Sequence, residues 1–298
     1  MKTVKLRRRR RVKGTDVVLA IFFAVLMFIF IFPLWQLLAI SFNDAQDAMR
    51  GDIYFWPRVF TFDNYKMVFQ NPTIYNAYFV TILRTVIGTV TSVLATGMFA
   101  YGLSKSHLVF RKTYSTLALI TMFFGGGMIP FFILIKGLHL IDSFWVYIIP
   151  SLINVWNMLI MKAYFTSIPE SLEESAKLDG CTDAGVFFRI VLPSSKPIIA
   201  TMALFNGVGH WNAWFDAYMY ITKQELLPLQ TVLMKMVSQQ SSNQMLSQMM
   251  GQYTGQSMVT PEALRVTTMM VAIGPIILIY PFLQKHFAKG MMLGAVKG

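Results

Sequence analysis

Nine residues whose side chains could bind a polyhydroxylated ligand lie inside two apolar stretches of this chain. Such a ligand is recognised by flat aromatic faces combined with a few well-placed hydrogen-bonding groups, and both kinds of side chain occur here at close spacing. Polar side chains inside an apolar helix usually face the interior of a helical bundle or a water-filled cavity. The nine candidates are Asn154, Trp156, Asn157, Asn206, His210, Trp211, Asn212, Trp214 and Asp216.

The same nine residues have a second interpretation, and the sequence leaves both open. Asn and His form ordinary hydrogen bonds between neighbouring membrane helices, and Trp favours the membrane surface. In that case these residues hold the chain against a partner and bind no ligand. Arg84 raises a similar question, because a charge inside an apolar stretch is costly. It could pair with an acidic residue of a partner, but we favour a side chain that extends to the outer membrane surface.

The residue patterns of common catalytic and metal sites are missing from the sequence. The histidines His107, His139, His210 and His286 lie far apart, and neither H-E-x-x-H nor G-x-S-x-G occurs. The nucleotide-binding pattern G-x-x-x-x-G-K-[ST] is missing too. One cysteine, Cys181, can form neither an internal disulfide nor a thiolate metal cage. We therefore predict no catalytic residue, no metal site, and no ATP hydrolysis by this chain itself.

Membrane-spanning helices must position the candidate residues. Hydrophobic residues make up 55% of the 298 residues and charged residues 13%, and the mean hydropathy is +0.53. That composition is too apolar for an ordinary soluble domain. A helix crosses a bilayer with about 20 apolar residues. We predict an all-α membrane protein with six spans: Val17–Phe42, Ile74–Leu103, Tyr114–Leu138, Phe144–Phe165, Ile198–Ile221 and Ala263–Leu283.

The net charge of +12 follows a membrane-topology pattern and does not indicate nucleic-acid binding. With the N-terminus inside, 18 of the 26 Lys and Arg residues fall in inner segments, among them the run from Arg7 to Arg11. Cytoplasmic segments carry such an excess. We predict cytoplasmic termini and an uncleaved first helix. The predicted domains are a basic tail over 1–16, a six-helix domain over 17–289 and a C-terminal tail over 290–298.

The outer loop at 222–261 contains a predicted amphipathic helix. Apolar residues recur at helical spacing between Leu229 and Val237. We favour a helix that lies on the membrane surface or on its own domain; the alternative is a surface that faces a partner. Glycine and proline also interrupt several spans, most densely between Gly125 and Pro130. Such breaks free backbone groups that protein or a water-filled cavity must satisfy.

A charged segment, residues 167–193, separates the fourth span from the fifth on the predicted cytoplasmic side. Ser167 or Ser171 has a Glu three residues later, which predicts that a helix begins near one of them. Gly180 is a natural left-handed end for that helix. Thr182 then caps a second helix that ends before the fifth span, at Pro193. This helix–turn–helix is suited to docking on another protein, although it could also be a well-capped, solvated loop.

The 167–193 segment resembles the EAA motif found in permease subunits of bacterial ABC importers. The resemblance rests on residues at fixed spacing, with Ser175 where the family usually has alanine. The matching residues are Glu174, Ser175, Ala176, Asp179, Gly180, Phe187, Ile190, Leu192 and Pro193. The stretches from Asn206 to Ile221 and from Gly290 to Gly298 are also similar to carbohydrate-importer permeases, most of all to the branch that imports oligosaccharides.

This resemblance implies the permease fold of type I ABC importers, in which the 167–193 segment is the coupling helix that contacts the ATPase. It implies a heterodimer with a second permease, two cytoplasmic ABC ATPase subunits that bind ATP and Mg²⁺, and an extracytoplasmic sugar-binding protein. The expected location is the bacterial cytoplasmic membrane, in contact with lipid. An ATP-independent channel or receptor scaffold is the alternative, but it leaves the 167–193 segment unexplained.

Overall fold

The computed structural model describes residues 14–238, 260 and 262–278, and the regular elements within them are helices. The first six are α1 (Gly14–Ser41), α2 (Ala45–Ala48), α3 (Asp63–Gln70), α4 (Pro72–Ser104), α5 (Arg111–Phe123) and α6 (Met128–Gly137). Two 3₁₀ segments, Phe144–Tyr147 and Ile149–Ser151, then precede α7 (Val155–Thr166).

The second half of the chain begins with the predicted charged segment. It contains α8 (Glu170–Leu178), α9 (Asp183–Val186), a π-helical stretch (Phe187–Val191) and α10 (Leu192–Ser194). There follow α11 (Lys196–Asn212), α12 (Phe215–Tyr220), a 3₁₀ turn (Gln224–Leu226), α13 (Leu229–Ser238) and α14 (residues 262–278). The basic run Arg7–Arg11 and the C-terminal stretch Gly290–Gly298 lie outside the described residues.

The chain divides into two compact units. The first holds the described residues up to Val68 together with 260 and 262–270. Its α1 carries apolar side chains around its whole circumference, and most of them are exposed, as expected for a helix surrounded by lipid. Beyond α1, Asp47 accepts hydrogen bonds from Asn43 and Arg58. The predicted outer loop between the first two spans is therefore an ordered structure.

The second unit, residues 69–238 and 271–278, is built around α4. Asn71 caps α4 by accepting a hydrogen bond from the backbone N–H of Thr73, and Pro72 occupies the first turn, where its missing N–H costs nothing. Helices α7 and α11 both pack against α4. The core they share includes Met158, Met161 and Met202, which are fully buried. Helices α7 and α11, which carry six of the nine candidate residues, thus belong to one packed body with α4.

Two helices, α1 and α4, are long and apolar enough to cross a membrane unbroken, and bent pairs raise the count to at most five within the described residues. The third predicted span is two helices, α5 and α6, set at 116° to each other. Gly127, at φ +86°, adopts a left-handed conformation at the break that side chains disfavour. The sixth predicted span is described only to residue 278, so the six-span count remains a prediction.

Hydrogen bonds join segments that the alternating topology places on the same side. Asp142, between the third and fourth spans, accepts bonds from the backbone N–H groups of Thr222 and Lys223, just after the fifth span. Asn76, at the outer end of α4, donates to the carbonyl of Glu225 at 2.6 Å. A chain whose spans alternate in direction requires these connecting segments to lie on the same side of the membrane. Which side is cytoplasmic remains a prediction.

The amphipathic helix predicted in the longer outer loop is confirmed as α13. Leu229, Val232, Leu233 and Met236 are buried, and α13 packs against α4 and α12. Of the two interpretations, the structure therefore favours a helix lying on its own domain. Val237, the last residue of the predicted apolar face, is exposed. The Gln-rich stretch that follows lies outside the described residues.

Candidate functional site

A cavity of about 530 Å³ opens within the second unit, between the helices that carry the candidate residues. Six of the nine candidates line it: Asn154, Trp156, Asn157, Asn206, His210 and Asp216. The other lining side chains include Arg84, Tyr147 and Phe205. Aromatic faces, amides and one ion pair therefore surround a space large enough for a small polar ligand.

Three of the candidates do not line the cavity. Trp211 is buried on the opposite face of α11, where its indole N–H donates to the carbonyl of Ala272 and its ring packs edge-on against Tyr78. Asn212 is exposed, and the ring of Trp214 packs against Phe215 and Tyr218. These residues are adjacent to true lining residues in sequence, but a helix turns neighbouring side chains onto different faces.

Arg84 pairs with Asp216 inside this same chain. The side chain is 1% exposed, and its Nη2 lies 2.5 Å from the Asp216 carboxylate. The guanidinium also lies over the ring of Tyr147, 4.2 Å from its centroid. The expectation that Arg84 extends to the membrane surface is therefore wrong, because a carboxylate and an aromatic face are available within the bundle. The opposite charges isolated in the second and fifth spans were the sequence signal for this pair.

The Arg84–Asp216 pair also satisfies a break in the fifth predicted span. Ile198–Ile221 is not one helix, because α11 ends at Asn212 and α12 begins at Phe215. Arg84 Nη1 donates to the carbonyl of Ala213, and the Asp216 carboxylate accepts from the N–H of Ala217. Backbone groups freed by a broken membrane helix need such partners. The ion pair therefore supplies hydrogen-bond partners to the backbone at the break, which lies beside the cavity.

Several lining residues also connect helices, so both interpretations of the nine candidates apply in part. Ser92 of α4 donates to Asn206 at 3.1 Å, and Asn154 caps α7 by accepting from the N–H of Asn157. His210 of α11 packs directly against Gly88 of α4, where a Cβ atom would lie 2.4 Å from its Nε2. These bonds lie within this chain, whereas the sequence suggested bonds to a partner.

The 167–193 segment is the predicted pair of helices joined by a tight turn. Helix α8 ends as expected: Gly180 has φ +84°, its N–H donates to Lys177, and the N–H of Cys181 donates to Ala176. Thr182 caps α9 by accepting from Gly185. Pro193 lies inside α10, and the turn comes at Ser195.

The predicted N-terminal cap of α8 is wrong. Pro169 occupies that position without a side-chain bond, Ser167 donates to the carbonyl of Tyr164, and Ser171 lies inside the helix. Proline at this point fixes the backbone without needing a capping side chain. The prediction that a helix begins near these serines is nevertheless confirmed, because α8 begins at Glu170, one residue before Ser171.

The motif residues divide into an exposed set and a buried set. Glu174, Ser175, Asp179, Gly180 and Pro193 are exposed, whereas Ala176 and Phe187 are buried in the core shared with α4 and α7. At the tip, Leu178 is 89% exposed. A single exposed leucine is common on protein surfaces, and here it leaves an apolar side chain at the tip available to a partner. The turn therefore presents a surface, and the buried residues hold it in place.

An exposed ion pair connects α8 to the start of α9. Lys177 Nζ lies 2.7 Å from the Asp183 carboxylate. The hydrogen bond from Lys177 lowers the pKa of Asp183, and the same bond raises the pKa of Lys177. Both groups are charged near neutral pH. Within the described residues there is no cluster of three or more His, Cys, Asp or Glu side chains that could hold a metal ion.

Comparison with known proteins places the fold and the motif in one family. Residues 113–293 match the family described as binding-protein-dependent transport system inner membrane component. The chain is 40% identical to the polygalacturonan/rhamnogalacturonan transport system permease protein YtcP of Bacillus subtilis (strain 168), over 95% of this chain and 98% of that protein. It is 42% identical to protein LplC of the same organism, over 90% of each chain.

A solved structure is similar along almost the whole length. It is the crystal structure of a bacterial ABC transporter involved in the import of the acidic polysaccharide alginate. The similarity has a TM-score of 0.84 with 29% sequence identity, and it covers 93% of this chain and 99% of that chain. The family match covers more than half of the sequence and includes α8, α9, α11 and α12. This chain therefore belongs to the family of binding-protein-dependent transport system inner membrane components.

Proposed function

We propose that this chain is the transmembrane permease subunit of an ATP-driven importer that moves an oligosaccharide across the bacterial cytoplasmic membrane. An extracytoplasmic binding protein delivers the sugar, and a second, different permease completes the path. Two cytoplasmic ATPase subunits bind ATP and Mg²⁺ and supply the energy. This chain itself has no catalytic role.

The observation that carries the proposal is the exposed turn between α8 and α9. Leu178, Asp179 and Gly180 form an exposed surface at this turn. Ala176 and Phe187, which hold the turn in place, are buried in the core of the second unit. An amphipathic helix with an apolar tip fits a groove on a partner protein. The resemblance of this segment to the EAA motif supports an ATPase subunit as that partner. This requires the turn to face the cytoplasm, as the distribution of Lys and Arg predicts.

The cavity supports an oligosaccharide as the transported molecule. Trp156 presents an exposed aromatic face, while Asn154, Asn206 and Asp216 supply hydrogen-bonding groups around it. Sugar rings offer an apolar face for stacking and hydroxyl groups for bonding. Relatives named for pectic polysaccharides and for arabinooligosaccharides agree with this class. The length and identity of the sugar are left open by this chemistry.

The test is ATPase activity of the complete complex in lipid, with and without oligosaccharide-loaded binding protein. We expect loaded binding protein to stimulate hydrolysis, and Gly180→Trp to abolish the stimulation. A side chain added at Gly180 meets no protein atom within 4 Å in this chain, so the tryptophan does not clash with it and obstructs a partner. The left-handed φ of +84° adds backbone strain of about 1–2 kcal/mol for any such side chain, so the control must carry the same strain.

Gly180→Ala is the matched control, because alanine carries the same left-handed backbone strain as tryptophan without its bulk. It should retain most of the stimulation. Equal stimulation of the wild type and the tryptophan variant would contradict docking at the turn. A complex that assembles and is stimulated by no sugar would contradict import of an oligosaccharide.

A further inference from the structure

The two adjacent glutamates of α8 point in different directions. Glu174, the motif residue, is exposed, whereas Glu173 is 8% exposed. Neighbouring helical residues are separated by about 100°, so one faces the surface and the other faces the protein. A buried carboxylate needs partners, because an unpaired one is strongly destabilising. The partners of Glu173 therefore show which part of the protein α8 is attached to.

Both partners of Glu173 belong to the end of α4. Lys105, which caps α4, forms an ion pair with the Glu173 carboxylate, and the Tyr101 hydroxyl donates to the same oxygen at 3.2 Å. The Lys105 ammonium also lies 4.2 Å above the centre of the Tyr101 ring. Tyr101, Lys105 and Glu173 thus form one compact group, which we call the α4–α8 link.

The α4–α8 link consists of directional polar contacts, unlike the apolar packing around it. The Tyr101 ring contacts Phe187 with centroids 5.4 Å apart, and this core holds the 167–193 segment against α4 and α7. Apolar contacts have little directional preference, so they allow small sliding movements. Charge-assisted hydrogen bonds fix both distance and direction. The link therefore ties α8 to one place on α4.

The helix at the other side of the link reaches the cavity. Helix α4 is continuous for 33 residues, and it carries Arg84 and Ser92, whose bonds to Asp216 and Asn206 form part of the cavity wall. Tyr101 follows Arg84 by 17 positions, which is about 25 Å along a helix. An unbroken helix is stiff over that length, so displacement of its end moves the cavity wall.

We propose that Tyr101, Lys105 and Glu173 are positioning residues that transfer movement of α8 to α4, and thereby couple ATP hydrolysis to opening and closing of the cavity. This inference rests on the proposed function. It assigns to the α4–α8 link a role separate from docking: Glu174 and the turn contact the partner, and Glu173 passes the movement on within this chain.

The first test is the number of sugar molecules transported per ATP hydrolysed by the complete complex in proteoliposomes. Glu173→Gln keeps the shape and removes the charge, and we expect this ratio to fall roughly fivefold or more. Asp63→Asn is the matched control, since it removes the carboxylate of the exposed Lys66–Asp63 pair, which lies outside the 167–193 segment. It should leave the ratio within about twofold of the wild type.

The charge-reversed double variant Lys105→Glu/Glu173→Lys should recover part of the ratio that each single reversal loses. A role in stability alone would lower the yield of complex and leave the ratio unchanged. Equal ratios for Glu173→Gln and Asp63→Asn, or no recovery in the double variant, would overturn the inference.

A second measurement needs no transport. Hydrogen exchange of the last turn of α4, residues 101–104, is compared before and after the ATPase subunits join the permease pair. We expect ATPase binding to change protection there in the wild type and much less in Glu173→Gln. An unchanged wild type would overturn the link even if transport is normal. If protection changes but loaded binding protein never stimulates hydrolysis, the link stands and the proposed importer function fails.

Discussion

Gly88 of α4 lies so close to His210 that alanine at this position would displace the histidine ring. A Cβ atom built on Gly88 would lie 2.4 Å from Nε2 and 2.5 Å from Cε1 of His210. Ordinary contacts begin near 3.4 Å, so the ring would have to move by roughly 1 Å in a close-packed site. His210 is buried and lines the cavity, which leaves the cavity as the direction of movement.

The size of the effect follows from two opposing contributions. Replacing glycine by alanine inside a helix stabilises by about 0.5–1 kcal/mol, whereas forcing a buried side chain out of its position costs about 1–3 kcal/mol. The low end of that range is expected here, because the His210 ring can move into the cavity. Gly102, on the same helix, has no atom within 4 Å of an added Cβ, so Gly102→Ala shows the gain alone. The difference between the two variants is therefore the overpacking cost, about 1–3 kcal/mol.

The assay is thermal unfolding of the purified protein in lipid nanodiscs. We expect Gly88→Ala to unfold roughly 2–8 °C below Gly102→Ala. The double variant Gly88→Ala/His210→Ala removes the obstructing ring, so the penalty from the alanine at position 88 should disappear when it is compared with His210→Ala alone. If Gly88→Ala unfolds at the same temperature as Gly102→Ala, the close approach of α4 and α11 is not as described and the reasoning fails.

Three further predictions address the cavity, its ion pair and the outer connection. Trp156 and Trp145 are 57% and 54% exposed, but only Trp156 lines the cavity; Trp156→Ala should therefore raise the transport KM roughly threefold to tenfold, and Trp145→Ala should not. Equal KM values for the two variants would show that Trp156 does not contact the transported molecule. Asp216→Asn leaves the buried Arg84 charge uncompensated and should destabilise the protein by about 3 kcal/mol, whereas Asp63→Asn, at an exposed pair, should leave the unfolding temperature unchanged. Similar unfolding temperatures for the two variants would contradict burial of the pair. Hydrogen bonds from the Thr222 side chain, then from the backbone of Thr222 and Lys223, lower the pKa of Asp142 below 3.8, so the stability it contributes is present above that pH and is lost as pH falls through the folded pKa. Hydrogen-exchange protection of the Thr222 and Lys223 amides should persist at neutral pH and disappear in acid, and in Asp142→Ala it should be low at every pH; acid-resistant protection would contradict the assignment.

Much of the secondary structure could be predicted because its causes are local. The end of α8 at Gly180, the cap at Thr182 and the apolar face of α13 each depend on residues a few positions apart. Hydropathy likewise located α1 and α4 to within a few residues of the predicted spans. The family motif could be recognised for the same reason, because its residues at fixed spacing belong to one short helix, one turn and the start of a second helix.

The tertiary structure decided which residues meet. Arg84 and Asp216 are 132 positions apart, and their pairing depends on how α4 and α12 are rotated about their own axes. Membrane helices are apolar around most of their circumference, so hydropathy does not encode that rotation. The same ambiguity separated Trp156, which lines the cavity, from Trp211, which is buried against Tyr78. The sequence by itself determined most of the helices, the turn at Gly180 and the family. Only packing determined which charges pair, where the fifth span breaks, and which of the nine polar and aromatic residues share a cavity.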